Sequence, residues 1–302
     1  MQSLTNTGHT HYGLVALVFG FLLPAGPASA QAPIIFSDGV PSVTVSITGM
    51  DGEQVDAPLI LDSGAEIIVL DQKLAEKAKL PLVKQVNVSG GTDARSEAGI
   101  HLASKIALGE SQVDNTPVLM MDMASRGGPF EEYVDGIFSP TAFAPSLTRI
   151  DFVSKIVCIL PPEDFPDDEA SDYTDGAHGG LPQAKIALGN REFMAVIDTG
   201  APDLVILPTS FAEDLPLKTA LIESGKSRSV NDENTAFQAQ LDGALEISGR
   251  RWESPLLTFV EDQSGLALGM GVLAGARLTL DPANQRAWLE WPDGKDCSSC
   301  QQ

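Results

Sequence analysis

The chain has 302 residues, 43% of them hydrophobic, and a formal net charge of −22 at neutral pH. Its length is enough for two domains that each bury a core of their own. Its acidic charge excludes nucleic acid and anionic membrane surfaces as partners, because both repel a strongly negative protein.

The N-terminal segment resembles an export signal. Residues 1–30 contain no Lys, Arg, Asp or Glu, and their apolar part, residues 13–23, leads to the small residues Ala28, Ser29 and Ala30. An apolar stretch of this length is about half of what a membrane-spanning helix needs, and small residues at these spacings are typical of a signal-peptidase site. We therefore predict a signal peptide over residues 1–30 and a periplasmic or secreted protein that no membrane holds after cleavage. An uncleaved anchor is the alternative, because the basic residues that usually precede the apolar part are missing.

A turn with an unusual acidic residue lies in the first predicted lobe, residues 31–160. The segment PLILDSGAEIIVLD, from Pro58 to Asp71, places Asp62 between two apolar runs. An ionised carboxylate in such surroundings is costly unless it is paired, hydrogen-bonded or protonated. Gly64 gives the backbone the freedom that a tight turn between two strands requires. Taken alone, the segment indicates an ordinary Asx-type turn.

The same order of segments follows a second time in the chain. Residues 161–182, rich in Pro, Gly, Asp and Glu, predict a solvated linker. The second lobe, residues 183–293, contains MAVIDTGAPDLVILP, in which Asp198 and Gly200 repeat the first turn. Period-two patterns dominate both halves. The predicted fold class is therefore all-β, with two similar β-barrel-like lobes related by internal duplication.

Alignment of the lobes gives further equivalent positions. Aligning Asp151 with Asp281 places Ser139 opposite Gly269. Asp151 and Asp281 each precede residues that are typical of turns, so we interpret this second acidic pair as part of two hairpins.

The duplication changes the interpretation of the Asp turns. Two equivalent turns related by a pseudo-twofold axis can bring Asp62 and Asp198 together at the lobe boundary. Like charges a few ångströms apart resist simultaneous ionisation, so the two carboxyls are expected to share one proton. One then acts as a base on a water molecule while the other donates a hydrogen bond to a substrate carbonyl. The hydroxyls of Ser63 and Thr199 can cross-link the turns and hold this geometry.

The repeated apolar–Asp–Ser/Thr–Gly–Ala motif resembles that of the aspartic protease superfamily. The chain is similar to bilobed pepsin-like enzymes in its size and double motif, and to retropepsin-like proteases in Ala65 and Ala201. The resemblance implies an acid protease fold with an active-site cleft between the lobes, and a hydrolase that cleaves polypeptides. It also implies the following site residues: Asp62 and Asp198 as the catalytic pair, with Ser63, Gly64, Thr199, Gly200 and Gly269 supporting the loops.

Three features depart from the pepsin-like pattern. Ser139 occupies the position that Gly269 occupies in the second lobe, and the flap hairpin near VNVSGGTDARSEAGIHL has Gly90 and Gly91 but no tyrosine. Ala65 and Ala201 replace hydroxyl residues that would donate to a carboxylate, and losing such a donor raises a carboxyl pKa. We therefore expect activity at mildly rather than strongly acidic pH.

The three cysteines predict a disulfide in an exported protein. The pairing is either Cys297 with Cys300 inside the C-terminal tail, residues 294–302, or Cys158 with one tail cysteine. A zinc site would normally need four ligands, and HExxH and nucleotide-binding glycine motifs are absent from the sequence. We therefore expect no metal and no cofactor.

Two other functions remain open at this point, and several side chains outside the Asp turns need an interpretation. A catalytically inactive relative could bind peptide or carbohydrate in the cleft, and a two-carboxylate glycosidase would need its acids further apart. His101 and His178 are interpreted as ordinary surface residues, and Trp252, Trp288 and Trp291 as packing residues of the second lobe. The expected partner is a polypeptide substrate, and the expected state is a monomer.

Overall fold

A computed structural model gives the fold of residues 30–92, 95–123, 134–162, 171–172, 180–229 and 233–292. The predicted signal peptide before Ala30, His178 and the tail cysteines lie outside these residues.

The first lobe consists of eleven strands and two short helices among the described residues. The strands are β1 (Ala30–Pro33), β2 (Ile35–Ser37), β3 (Val40–Thr48), β4 (Gln54–Leu61), β5 (Val69–Asp71), β6 (Leu82–Ser89), β7 (Arg95–Leu108), β8 (Ser111–Met121), β9 (Gly136–Phe138), β10 (Leu147–Asp151) and β11 (Ile156–Leu160). The helices are α1 (Gln72–Lys77) and a 3₁₀ helix over Pro140–Phe143.

The second lobe repeats this plan. Its strands are β13 (Gln183–Leu188), β14 (Arg191–Ile197), β15 (Val205–Pro208), β16 (Ile222–Arg228), β17 (Glu233–Gln240), β18 (Ala244–Ile247), β19 (Arg250–Glu253), β20 (Leu256–Val260), β21 (Ala267–Leu268), β22 (Arg277–Asp281) and β23 (Arg286–Glu290). A 3₁₀ helix covers Thr209–Glu213 and α2 covers Met270–Leu273, and the short strand β12 (Ser171–Asp172) lies between the lobes.

Each lobe is built on its own sheet. The first has the strand order β2-β3-β4-β9-β5-β8-β7-β6, with a further pairing of β3 with β7 that curls it toward a barrel. The second has the order β16-β17-β20-β15-β21-β14-β13-β18-β19. In both, the apolar run before the Asp turn is a central strand with fully buried side chains such as Leu61 and Ile197. The sequences of such strands are continuous hydrophobic runs because both faces of the strand are covered.

A third sheet joins the lobes. Its order is β1-β11-β10-β22-β23-β12, and its centre is the antiparallel pair β10–β22, in which Arg149 faces Thr279. Asp151 and Asp281 occupy equivalent strand ends, where each accepts a hydrogen bond from the backbone N–H three residues later. Both therefore cap hairpin turns, as the sequence indicates.

The predicted all-β, duplicated fold is confirmed, but the sequence interpretation was wrong at one place. His101 was expected at the surface, whereas its side chain is buried and its Nδ1 donates to the carbonyl of Leu80 at 2.7 Å. Within the segment predicted as a linker, Ser171 and Asp172 pair with Ala287 and Arg286 at the sheet edge.

The cysteine and the tryptophans among the described residues are buried or packed against another ring. Cys158 is buried on β11 and is disulfide-bonded, and the tail cysteines Cys297 and Cys300 lie outside the described residues. Trp252 and Trp291 pack edge to face with ring centroids 5.7 Å apart, and Trp288 is buried in the joining sheet.

Candidate active site

The two Asp turns are held by matching backbone contacts. Strand β9 runs parallel to β4, and β21 runs parallel to β14. Beyond the strand ends the Asp62 N–H donates to the carbonyl of Phe138 at 3.0 Å, and the Asp198 N–H donates to the carbonyl of Leu268 at 2.9 Å. Each turn is thus fixed at the end of a buried strand, in the same way in both lobes.

The hydroxyls of Ser63 and Thr199 cross-link the two turns. Both residues are fully buried. Thr199 Oγ1 donates to the carbonyl of Leu61 at 2.6 Å and accepts from the Ser63 N–H at 2.9 Å. Ser63 Oγ donates to the carbonyl of Ile197 at 2.5 Å and accepts from the Thr199 N–H at 3.2 Å. Four reciprocal hydrogen bonds across the lobe boundary fix the position of one turn relative to the other.

This cross-link places the two half-buried carboxyls against each other. The Oδ1 atoms of Asp62 and Asp198 each lie 3.1 Å from the point where a Cβ on Gly64 would stand, so the two carboxyls are in close contact. The glycines allow this approach, because a Cβ on Gly64 would lie 2.9 Å from Asp198 Cγ and one on Gly200 would lie 2.9 Å from Asp62 Cγ. A direct carboxyl–carboxyl contact is closer than the separations that glycosidases use. The geometry therefore excludes the two-carboxylate glycosidase.

The surroundings of the two carboxyls differ, and so do their proton affinities. Burial, followed by the negative charge of Asp198, raises the pKa of Asp62 well above its usual range. Burial also raises the pKa of Asp198, but the Gly200 and Ala201 N–H groups donate to its Oδ1 at 2.9 and 3.1 Å and oppose that rise. Asp62 accepts from Gly64 N–H alone among the described backbone donors, at 2.7 Å. The two N–H donors on Asp198, against one on Asp62, favour ionisation of Asp198 over ionisation of Asp62.

Ser139 and Gly269 support the turns in different ways. A Cβ on Gly269 would lie 2.6 Å from the carbonyl oxygen of Ala201, so the close backbone approach there requires glycine. In the first lobe, Ser139 Oγ instead donates to the carbonyl of Ala65 at 2.6 Å. The serine thus replaces a backbone contact by a side-chain hydrogen bond.

The hairpin of β6 and β7 reaches across the cleft to the second lobe. At its tip, the Gly91 carbonyl accepts from the Ser264 N–H at 3.0 Å and from Ser264 Oγ at 2.9 Å. Thr92, which is buried, forms a β-bridge with Gln263. Gly90 lies beside these contacts at the end of β6. Sequence reasoning placed the flap here but missed Gln263 and Ser264, because no local pattern shows which distant loop a hairpin tip will touch.

Comparisons with known proteins agree with this geometry. A family model described as aspartyl protease matches residues 43–138 and 183–272, one segment in each lobe. No curated protein matches the chain. Among solved structures, the chain is similar to the crystal structure of aspartic proteinase from Irpex lacteus, with a TM-score of 0.55 and 14% identity. That match covers 90% of this chain and 100% of the other, and at such low identity it shows the fold alone.

Proposed function

The chain belongs to the aspartyl protease family, and on this premise we propose that it is an exported aspartic endopeptidase. The observation that carries the proposal is the close approach of the Asp62 and Asp198 carboxyls at the lobe boundary. Such a pair holds one proton at mildly acidic pH, so it offers an acid and a base side by side.

The proposed reaction uses a water molecule placed between the two carboxyls and the substrate. The water oxygen attacks the carbonyl carbon of the substrate, and Asp198 accepts a proton from the water. At the same time, Asp62 gives its proton to the carbonyl oxygen. The tetrahedral gem-diol then breaks its C–N bond: Asp198 returns its proton to the leaving nitrogen, and a diol hydroxyl reprotonates Asp62. Each carboxyl thus ends as it began.

The hairpin tip supports a role as a lid in this reaction. Its contacts with Ser264 join the tip to the second lobe, and a lid over the carboxyls excludes water and strengthens electrostatic interactions inside. We assign Gly90 and Gly91 to this lid. Export rests on the pattern of residues 1–30, including Ala28, Ser29 and Ala30, and places the enzyme in the periplasm or outside the cell.

We expect the protein to cleave a denatured protein substrate with a bell-shaped pH profile. Activity falls at low pH when Asp198 is protonated, and falls at higher pH when Asp62 loses its proton. Because burial raises the pKa of both groups, the window lies at mildly acidic pH. Fragment release measured from pH 2 to 8, with and without a statine-type inhibitor, tests this. An optimum near pH 2, or activity that the inhibitor does not reduce, would contradict the mechanism.

A further inference from the structure

The two lobes present different surfaces beside the carboxyls. One face of each lobe sheet packs on the large core, and the opposite face packs around the alanine that follows the turn glycine, Ala65 or Ala201. Most side chains of these second faces are buried, but Val86 and Ile100 in the first lobe and Gln238 in the second are half-buried. These are the side chains that a substrate lying across Asp62 and Asp198 can contact. Corresponding positions on the two faces can be compared through the strand registers.

The registers match without ambiguity. In the first lobe, Ile137 faces Val69, and Val69, Leu119 and Ile100 lie in one row across neighbouring strands. In the second lobe the equivalent row is Ala267, Ile206, Thr258 and Gln238. The next row toward the hairpin tip contains Val86 beside Ala98 in the first lobe and Gly225 beside Ala236 in the second.

Each face has a distinct composition. The "first wall" is bulky and apolar, and its members are Val86, Ile100, Leu119, Met121 and Ile137. The "second wall" holds smaller or polar residues at the equivalent positions: Gly225, Gln238, Thr258, Val260 and Ala267. Val69, where the second lobe has the larger Ile206, is the exception in these rows.

A charged group adds to the polarity of the second wall. Asp203, half-buried at the end of the second turn, accepts a hydrogen bond from Thr258 Oγ1 at 2.6 Å. The first wall has Leu119 where Thr258 stands, so it offers no such hydroxyl. Asp203 and Gln238, which are both half-buried, can therefore hydrogen-bond a polar side chain, which the first wall would leave without hydrogen bonds.

From this asymmetry we infer that the enzyme prefers substrates with a large apolar residue on one side of the scissile bond and a small or polar residue on the other. The inference rests on the proposed function. Successive side chains of an extended peptide point to opposite sides, so the two residues that flank the bond meet different walls. An apolar side chain gains from burial against the first wall, in proportion to the apolar area removed from water.

The test compares reciprocal substitutions at equivalent, half-buried positions. A peptide library that varies both flanking residues is cleaved by the wild type, Ile100→Gln and Gln238→Ile. We expect Ile100→Gln to lower kcat/KM about tenfold for peptides with Leu or Phe on the apolar side, since pocket contacts of this size discriminate by that order. Gln238→Ile should raise kcat/KM by a similar factor for peptides with an apolar residue on the other side. Unfolding midpoints near that of the wild type confirm that the variants fold.

A binding measurement distinguishes failure of this inference from failure of the proposed function. The same peptides, fluorescently labelled, are titrated by anisotropy into Asp198→Asn, with and without each wall substitution. If peptides with an apolar residue on one side and a polar residue on the other bind but are not cleaved by the wild type, the inferred preference is supported and the proposed protease function is overturned. Cleavage with equal apolar preference on both sides, or a second-side profile unchanged by Gln238→Ile, would overturn the inference and leave the protease standing. Absence of any peptide binding would also overturn it.

Discussion

Asp198→Asn and Asp62→Asn each lower kcat for peptide cleavage by roughly 10²–10⁴-fold, the contribution that a positioned acid or base makes. Asn keeps the size of Asp, but it can neither accept a proton from water nor hold the shared proton. KM changes far less, because the walls and the hairpin are untouched. Steady-state kinetics on one quenched-fluorescence peptide measures both constants for each variant.

A carboxylate outside the cleft provides the matched control. Asp56 is exposed on β4, the strand that leads to Asp62, and its Oδ1 accepts a hydrogen bond from Ser46 Oγ. Asp56→Asn should therefore retain wild-type kinetics. Unchanged cleavage by Asp198→Asn would instead rule out the protease and favour a protein that only binds peptide in the cleft.

Asp151→Ala lowers the free energy of unfolding by about 3–5 kcal/mol, as removal of one partner from a buried ion pair does. Asp151 is almost fully buried and accepts from Arg277 Nε at 3.0 Å and Nη2 at 2.9 Å. The pair joins β10 of the first lobe to β22 of the second. Its loss removes the Asp151 carboxylate from a buried guanidinium in the sheet that holds the lobes together. Urea denaturation measures the change.

Two further variants check that burial, and not charge alone, causes this loss. Lys79→Ala removes an ion pair with Asp51 whose side chains are 64% and 45% exposed, and such exposed pairs contribute little to stability. The double variant Asp151→Leu/Arg277→Leu removes both charges of this pair and should recover much of the stability. A loss below about 1 kcal/mol for Asp151→Ala would contradict the role of the buried pair.

Local sequence was sufficient to predict the turns. The apolar runs before Asp62 and Asp198 form buried strands, and the hydroxyls beside them meet because the duplication places them near a pseudo-twofold axis. The alignment of Ser139 with Gly269 also matches the structure, since both follow a strand that pairs with the strand before the turn. These features depend on short segments and on their order in the chain.

Features that depend on distant partners could not be predicted. The sequence around Asp151 indicated only a hairpin turn, because the ion-pair partner of Asp151, Arg277, is 126 residues away in the chain. Strand β12 has only two residues, too few to show a period, and exists because β23 offers an edge. His101 is buried because β7 lies between β6 and β8 and the Leu80 carbonyl accepts from its ring. A lone histidine in a strand pattern indicates neither the flanking strands nor the carbonyl that accepts from its ring.

The most direct test of the account is a titration of the Asp62 carboxyl by NMR with ¹³C-labelled aspartate, in the wild type and in Asp198→Asn. We predict that the pKa of Asp62 in the wild type lies well above the usual value of about 3.9, because of burial and the neighbouring charge. In Asp198→Asn the pKa falls, because the negative charge that opposes ionisation is gone. An Asp62 that titrates in the usual range, or that is unaffected by Asp198→Asn, would contradict a shared proton between the lobes.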